Sequence, residues 1–277
     1  MAQLDTTHNL KTQFHAETAK KTFFPSQLLL LTWRTLVTIF RTPESILPPV
    51  AISLFFLVIY ESTLGKASAF LPDIGGNYLG FILPLSIVSA SLSGAGIAAQ
   101  NMVRDIERGY FDKLLLTPVK RTTLLFGPIL AGALILGIQA SLVLGVALLM
   151  GLEPATGIPG LLALVGLAIL LGTGFAGFTV SAALGSGNAA ATQGASFIFF
   201  PLTFLAPTFV PLDLLDGWLK TAATYNPITY VMQAMRALLN TGWDTTLIFQ
   251  AVLACLALAV AMYALAMFAL RVRTKRK

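Results

Sequence analysis

The densest group of reactive side chains lies between Gln100 and Thr123, where Arg104, Asp105, Glu107, Arg108, Asp112, Lys113, Lys120 and Arg121 crowd between two apolar runs. Met102, Ile106 and Tyr110, with Val103 and Leu114, recur at close to i, i+4. A helix here therefore carries an apolar stripe beside a face of Arg104, Asp105, Arg108 and Asp112. Along that helix Asp105 and Arg108, and Arg108 and Asp112, fall within pairing reach. Thr117-Pro118 ends it, because the residue before a proline is pushed out of the helical region. A short charged amphipathic helix between two spans suits docking into a groove on a soluble subunit and passing on its movement. A solvated loop carrying ordinary inward-side charges uses the same residues, and spacing alone leaves both readings open.

Catalytic chemistry is scarce elsewhere. A phosphate-cradling loop needs G-x-x-x-x-G-K-[ST] after a strand, and the one Gly-Lys pair, Gly65-Lys66, has neither the upstream glycine nor the following hydroxyl. Leu92-Ser93-Gly94-Ala95-Gly96 lies inside an apolar run, where small residues serve close helix packing. His8 and His15 stand seven residues apart in a polar arm with no accompanying zinc pattern, so no metal site is expected. Ser186 has neither the strand nor the histidine of a nucleophile elbow. Cys255, the single cysteine, sits in AVLACLALAV and reads as packing. An ion-coupled carrier normally keeps an ionisable group at membrane depth. The apolar runs offer amides and hydroxyls instead (Gln139, Thr179, Gln193, Gln250), with Glu44 and Glu61 only at the ends of the first.

The elements that must hold these residues are membrane helices. At 56% hydrophobic, 11% charged and a mean hydropathy of +0.80, the 277 residues have too little polar surface for a soluble globule. Residues 1–22 are polar, have no apolar signal-peptide core and form an expected cytoplasmic arm. Residues 23–41 are apolar but carry Arg34 centrally, which predicts an amphipathic helix in the interface with Trp33 at headgroup level. A single transmembrane domain, 42–270, follows, with six spans at about 46–64, 79–99, 124–150, 161–184, 189–210 and 246–270. Between spans five and six, Pro211–Thr245 reads as short interfacial or re-entrant helices broken at Asn226-Pro227. Residues 271–277 are a basic tail.

Six spans put both termini on one side. All eighteen Lys and Arg except Lys66, Lys220 and Arg236 then fall on that side, which is the cytoplasmic one. The net charge of +6 is accounted for by this topology, so no nucleic-acid partner is expected. In span five, Phe197, Phe199, Phe200, Phe204 and Phe209, interrupted by Pro201 and Pro207, make an irregular aromatic helix. Its rings suit a path for an apolar or amphipathic cargo, and they suit contact with lipid equally well. A membrane scaffold that recruits a cytoplasmic partner, or an ion-gradient carrier, are the other functions these residues leave standing.

The run D-I-E-R-G-Y-F-D-K-L-L-L-T-P-V-K-R closely resembles the loop of type-2 ABC exporter permeases. Phe40-Arg41-Thr42-Pro43-Glu44 resembles the family's R-x-P element between elbow helix and span one, with Thr42 where many members carry Asp. Tyr225-Asn226-Pro227-Ile228-Thr229-Tyr230, followed by Ala234, Arg236 and Leu238, resembles its N-P-[IL]-T-Y…R element before span six. The likeness runs from about Phe23 to Leu270, and G-A-G-I-A-A-Q ahead of the loop makes it most similar to the daunorubicin-resistance, multidrug type.

The resemblance implies an all-α integral membrane permease of the cell membrane: six spans, an elbow helix before them and a coupling helix between spans two and three. It implies a second permease copy, forming a homodimer, and two separate ATP-binding cassette ATPase subunits that hold ATP and Mg, with no catalysis and no cofactor on this chain. Arg104, Asp105, Glu107, Arg108, Gly109, Phe111, Leu114, Thr117 and Pro118 would form the coupling helix. Arg34, Arg41 and Glu44 would brace it.

Overall fold

The computed structural model describes residues 24–42, 44, 46–65, 78–117, 119–208 and 212–275. The N-terminal arm, Pro118, Phe209 and the basic pair Arg276 and Lys277 lie outside them. Among the described residues the secondary structure is helical throughout: α1 Phe24–Phe40, α2 Leu47–Leu64, α3 Tyr78–Glu107, α4 Tyr110–Leu115, α5 Arg121–Leu149 and α6 Gly157–Ser186. After these come α7 Ala189–Ser196, α8 Phe199–Leu205, a 3-10 turn Leu212–Leu214, α9 Gly217–Tyr225, α10 Pro227–Arg236, a π turn Ala237–Thr241 and α11 Thr245–Lys275. Helices α3, α5, α6 and α11 are long and apolar enough to cross a bilayer, while α2 and the α7–α8 pair are shorter apolar segments.

Helix α3 is the hub, buried along most of its length against α5 and α6. Helix α11 lies along α6, and glycines set how closely. A Cβ on Gly177 would sit 2.8 Å from the Tyr263 ring and 3.0 Å from Met262, so the two backbones meet where any side chain would hold them apart. Helix α1 crosses α5 with its polar residues inward. Gln27, Thr32, Thr35 and Ile39 are buried, the Gln27 amide accepts from the Lys120 N–H, and Leu29, Leu30, Trp33 and Phe40 are exposed. That pattern inverts the one expected of a helix packed on a soluble core.

The bundle has two distinguishable ends. At one, Arg34 meets Asp105, Arg121 donates to Thr274, and Arg273 donates to the Leu184 carbonyl. At the other, Arg236 reaches Phe81, Pro207 and Thr208, and the Thr156 hydroxyl donates to the Leu238 carbonyl. The α7–α8 pair therefore runs from the first end, at Asn188, to the second, at Pro207, but as two helices rather than the one expected. The cause is Pro201, which offers no N–H and whose ring excludes the helical position of the Phe197 carbonyl. The chain responds with tighter i to i−3 bonds, Phe197 N–H to Gly194, Ile198 to Ala195 and Phe200 to Phe197.

The chain departs from its apolar periodicity at two more places. The charged stretch is no single helix, because α3 runs on to Glu107 and stops at Gly109. Helix α11 continues to Lys275, so Arg271 and Arg273 lie in its final turns. The break at Asn226-Pro227 falls where the proline places it, with the Asn226 carboxamide accepting from the Ile228 N–H to cap α10.

Candidate functional site

Gly109 makes the turn in the charged segment. Its φ of 67° lies in the left-handed region, its carbonyl accepts from Lys113, and its N–H donates to Ile106. Arg34 straddles this break. Its Nη1 and Nη2 donate to Asp105 Oδ2 and Oδ1 at 2.9 and 2.6 Å, and its guanidinium lies 3.9 Å from the centre of the Tyr110 ring. One side chain of α1 thus holds the last turn of α3 by a two-pronged ion pair and the first residue of α4 by its ring face. The hydrogen bond to Asp105 raises the Arg34 pKa above its ordinary value against the opposing effect of burial, so the arginine stays cationic.

The predicted coupling residues divide by what they face. Asp105 is engaged by Arg34 and not by Arg108, which corrects the local pair expected from spacing. Phe111 is 2% exposed and Leu114 packs on the same core, so both anchor α4 to the bundle. Glu107, Arg108 and Thr117 are exposed, Lys113 joins them, Gly109 and Arg104 are half-buried, and Leu116 protrudes at 89% exposure. Thr117 back-bonds its hydroxyl to the Leu114 carbonyl and ends α4. Of the expected braces only Arg34 reaches the segment. Arg41 and Glu44 sit exposed at the α1–α2 turn, where the Thr42 hydroxyl donates to the Thr38 carbonyl.

The aromatic residues of the broken span come together. Phe197, Phe199, Phe200 and Phe204 line an open cleft of about 340 Å³ with Ile52, Phe56 and Tyr60 of α2 and Leu85 and Leu92 of α3. Ser89, Ser93, Gln193 and Ser196 give one polar wall, no lining side chain is charged, and the Gln100 amide donates to Gln193 to fix that wall to α3. Phe199 has a second task, since its ring centre lies 4.3 Å from Phe175 and 5.2 Å from Phe178 in the core. Among the described residues no three His, Cys, Asp or Glu side chains gather as metal ligands.

Arg236, in sequence one position of the motif before the last helix, ties three elements together. Its Nε donates to the Phe81 carbonyl, its Nη1 and Nη2 to those of Pro207 and Thr208, and the guanidinium stacks 3.6 Å from the Phe81 ring centre. The available signal was a lone arginine in an otherwise apolar stretch, which must find acceptors when enclosed.

A helical bundle of long apolar helices with a braced, charged segment at one end defines a multi-pass membrane protein. Residues 26–240, most of the chain, match the family described as ABC-2 type transporter, and the protein belongs to that family. Over 213 residues, 77% of this chain and 76% of the relative, it is 25% identical to a probable doxorubicin resistance ABC transporter permease protein, DrrC, of Mycobacterium tuberculosis. It is 28% identical over 78% of its length to 77% of a daunorubicin resistance ABC transporter permease protein, DrrB1, of Streptomyces coeruleorubidus. A putative transport permease, ycf38, of Cyanophora paradoxa is 24% identical over 78% of this chain and 75% of its own. The resemblance to type-2 ABC permeases of the multidrug type therefore holds.

Proposed function

We propose that the chain is the transmembrane subunit of an ATP-driven exporter in the cell membrane. Two copies pair, and two separate ATP-binding cassette chains supply ATP hydrolysis with Mg. In this reading α2, α3, α5, α6, the α7–α8 pair and α11 are six spans, both termini are cytoplasmic, and α1 is the interfacial elbow. The observation that carries it is the double grip of Arg34 on Asp105 and Tyr110. It stiffens a short segment whose exposed Glu107, Arg108, Lys113, Leu116 and Thr117 offer charges and one apolar knob to a soluble partner. The cleft supports a hydrophobic or amphipathic cargo, a drug-like molecule, lipid or glycolipid, since its walls are aromatic on one side, hydroxyl and amide on the other, and uncharged. Relatives named for doxorubicin and daunorubicin resistance support the drug-like member of that class.

Purification of the tagged protein from its native membranes in mild detergent tests this directly. The expected result is a co-purifying chain with a phosphate-binding loop and an ATP turnover that falls in Glu107→Ala and Arg108→Ala. A protein that comes away alone, without nucleotide turnover in several detergents, would transfer the case to a membrane scaffold or an ion-gradient carrier.

A further inference from the structure

Arg273 counts in the sequence as one more inward-side positive charge, but its guanidinium is built into the bundle. Nη1 donates to the Leu184 carbonyl at 2.8 Å, in the last turn of α6. The α6–α7 turn is made by Gly187 at φ 61°, and a Cβ there would stand 3.1 Å from Arg273 Nη1, 3.4 Å from Nη2 and 3.5 Å from the Ile106 side chain. The turn, the arginine and the end of α3 therefore leave no room for even one methyl group between them without a shift. On its other side the guanidinium lies 6.0 Å from the ring centre of Phe111, the buried anchor of α4. Its Nε is enclosed without a partner, so the arginine has a donor to spare for a new acceptor when its neighbours move. Beyond the turn, α7 and α8 carry Gln193, Ser196, Phe200 and Phe204 into the cleft.

We infer that Arg273 is a positioning residue for transport: the strut through which displacement of the α3–α4 segment reaches the α6–α7 turn, and so the α7–α8 wall of the cleft. This rests on the exporter reading above. The charge count on the cytoplasmic side explains why a basic residue stands at 273. It does not explain an arginine wedged between a helix end and an aromatic ring.

The test needs no knowledge of the cargo. In the complex with its co-purified ATPase chains, and in a Cys255→Ala background, Ser196→Cys places a maleimide probe in the cleft wall, and its labelling rate is read with and without Mg-ATP. With Arg273 intact, Mg-ATP changes the rate. In Arg273→Gln that change falls about tenfold, as expected for loss of one charge-assisted hydrogen bond at a hinge, while ATP binding persists. Arg273→Lys, which keeps the positive charge and a donor at the end of α11, recovers part of it; a purely structural role would give no such rescue at unchanged complex yield. If Arg273→Gln does not assemble, Arg273→Met, which keeps most of the side-chain length and loses the donors, is read instead, and the same loss is expected. A nucleotide-dependent change equal in all variants overturns the role of Arg273 and leaves the exporter reading intact. No nucleotide-dependent change even with Arg273 present, together with an Arg108→Ala variant that hydrolyses ATP normally, overturns the coupling reading itself and the strut with it.

Discussion

Two arginines hold this protein by different physics, and the difference sets which substitution costs more. Arg34 pairs with Asp105 at a partly exposed site, where water already solvates much of both charges. Such a pair, two-pronged as it is, contributes about 1 kcal/mol. Arg236 gives three hydrogen bonds to carbonyls, one in α3 and two in the segment just after α8. Its removal strips a donor from enclosed carbonyls, at a cost of roughly 2–3 kcal/mol. Arg236→Ala is therefore expected to lower the melting temperature of the detergent-solubilised protein far more than Arg34→Ala, measured by size-exclusion after heating. Equal shifts would show that the Arg236 site admits water. Arg34→Ala should instead show its effect in coupled ATP turnover, and an Asp105→Asn partner variant should add little to it, because both remove the same contact.

Gly109 and Pro201 show why helices broke where periodicity predicted continuity. The apolar stripe Met102, Ile106, Tyr110 is real, but a stripe reports which residues face the core, not whether the backbone between them bends. Arg-Gly-Tyr held the signal: a glycine between two helical stretches that the chain uses at positive φ. The same limit hid the Arg34–Asp105 pair, whose members lie 71 residues apart and meet only because α1 folds back over α5. What was legible was what lipid and proline dictate: the apolar runs that became α2, α3, α5, α6 and α11, within a few residues except where α3 and α11 run on to Glu107 and Lys275, and the break before Pro227. At Gly109 a Cβ would meet nothing within 4 Å, so Gly109→Ala costs only the left-handed conformation, about 1 kcal/mol. Gly109→Ala is expected to leave the yield of the folded protein unchanged and to reduce nucleotide turnover by the assembled complex. Gly109→Asn, whose side chain tolerates that conformation, is expected to keep more of it. Identical turnover in glycine, alanine and asparagine forms would mean the bend has no part in coupling.

At the scale of the whole molecule the α7–α8 pair sets the parity of the passes. Helices α3, α5, α6 and α11 are long and apolar enough for four passes, and α2 runs from the Ile97 level, where Ile46 packs, toward the Tyr78 end. If α7–α8 also crosses, Thr117 and Trp218 lie on opposite sides of the membrane. If it folds back, they lie on the same side, and the basic end of α11 is thrown to the face opposite Arg104, Arg108 and Arg121, against the bias of inward-side charge. The polar ends of the bundle favour crossing, since Asn188 neighbours the Arg273 site and Pro207 is held by Arg236. Both Thr117 and Trp218 are exposed, so each accepts a cysteine, and Cys255→Ala removes the buried native thiol. In intact cells a membrane-impermeant maleimide should label Trp218→Cys and spare Thr117→Cys, which should react only after the membrane is opened. Labelling of both from the same side would reduce the passes to five and place the coupling segment and the end of α11 on opposite faces. That outcome cannot be squared with the contacts of Arg121 to Thr274 and Arg273 to Leu184.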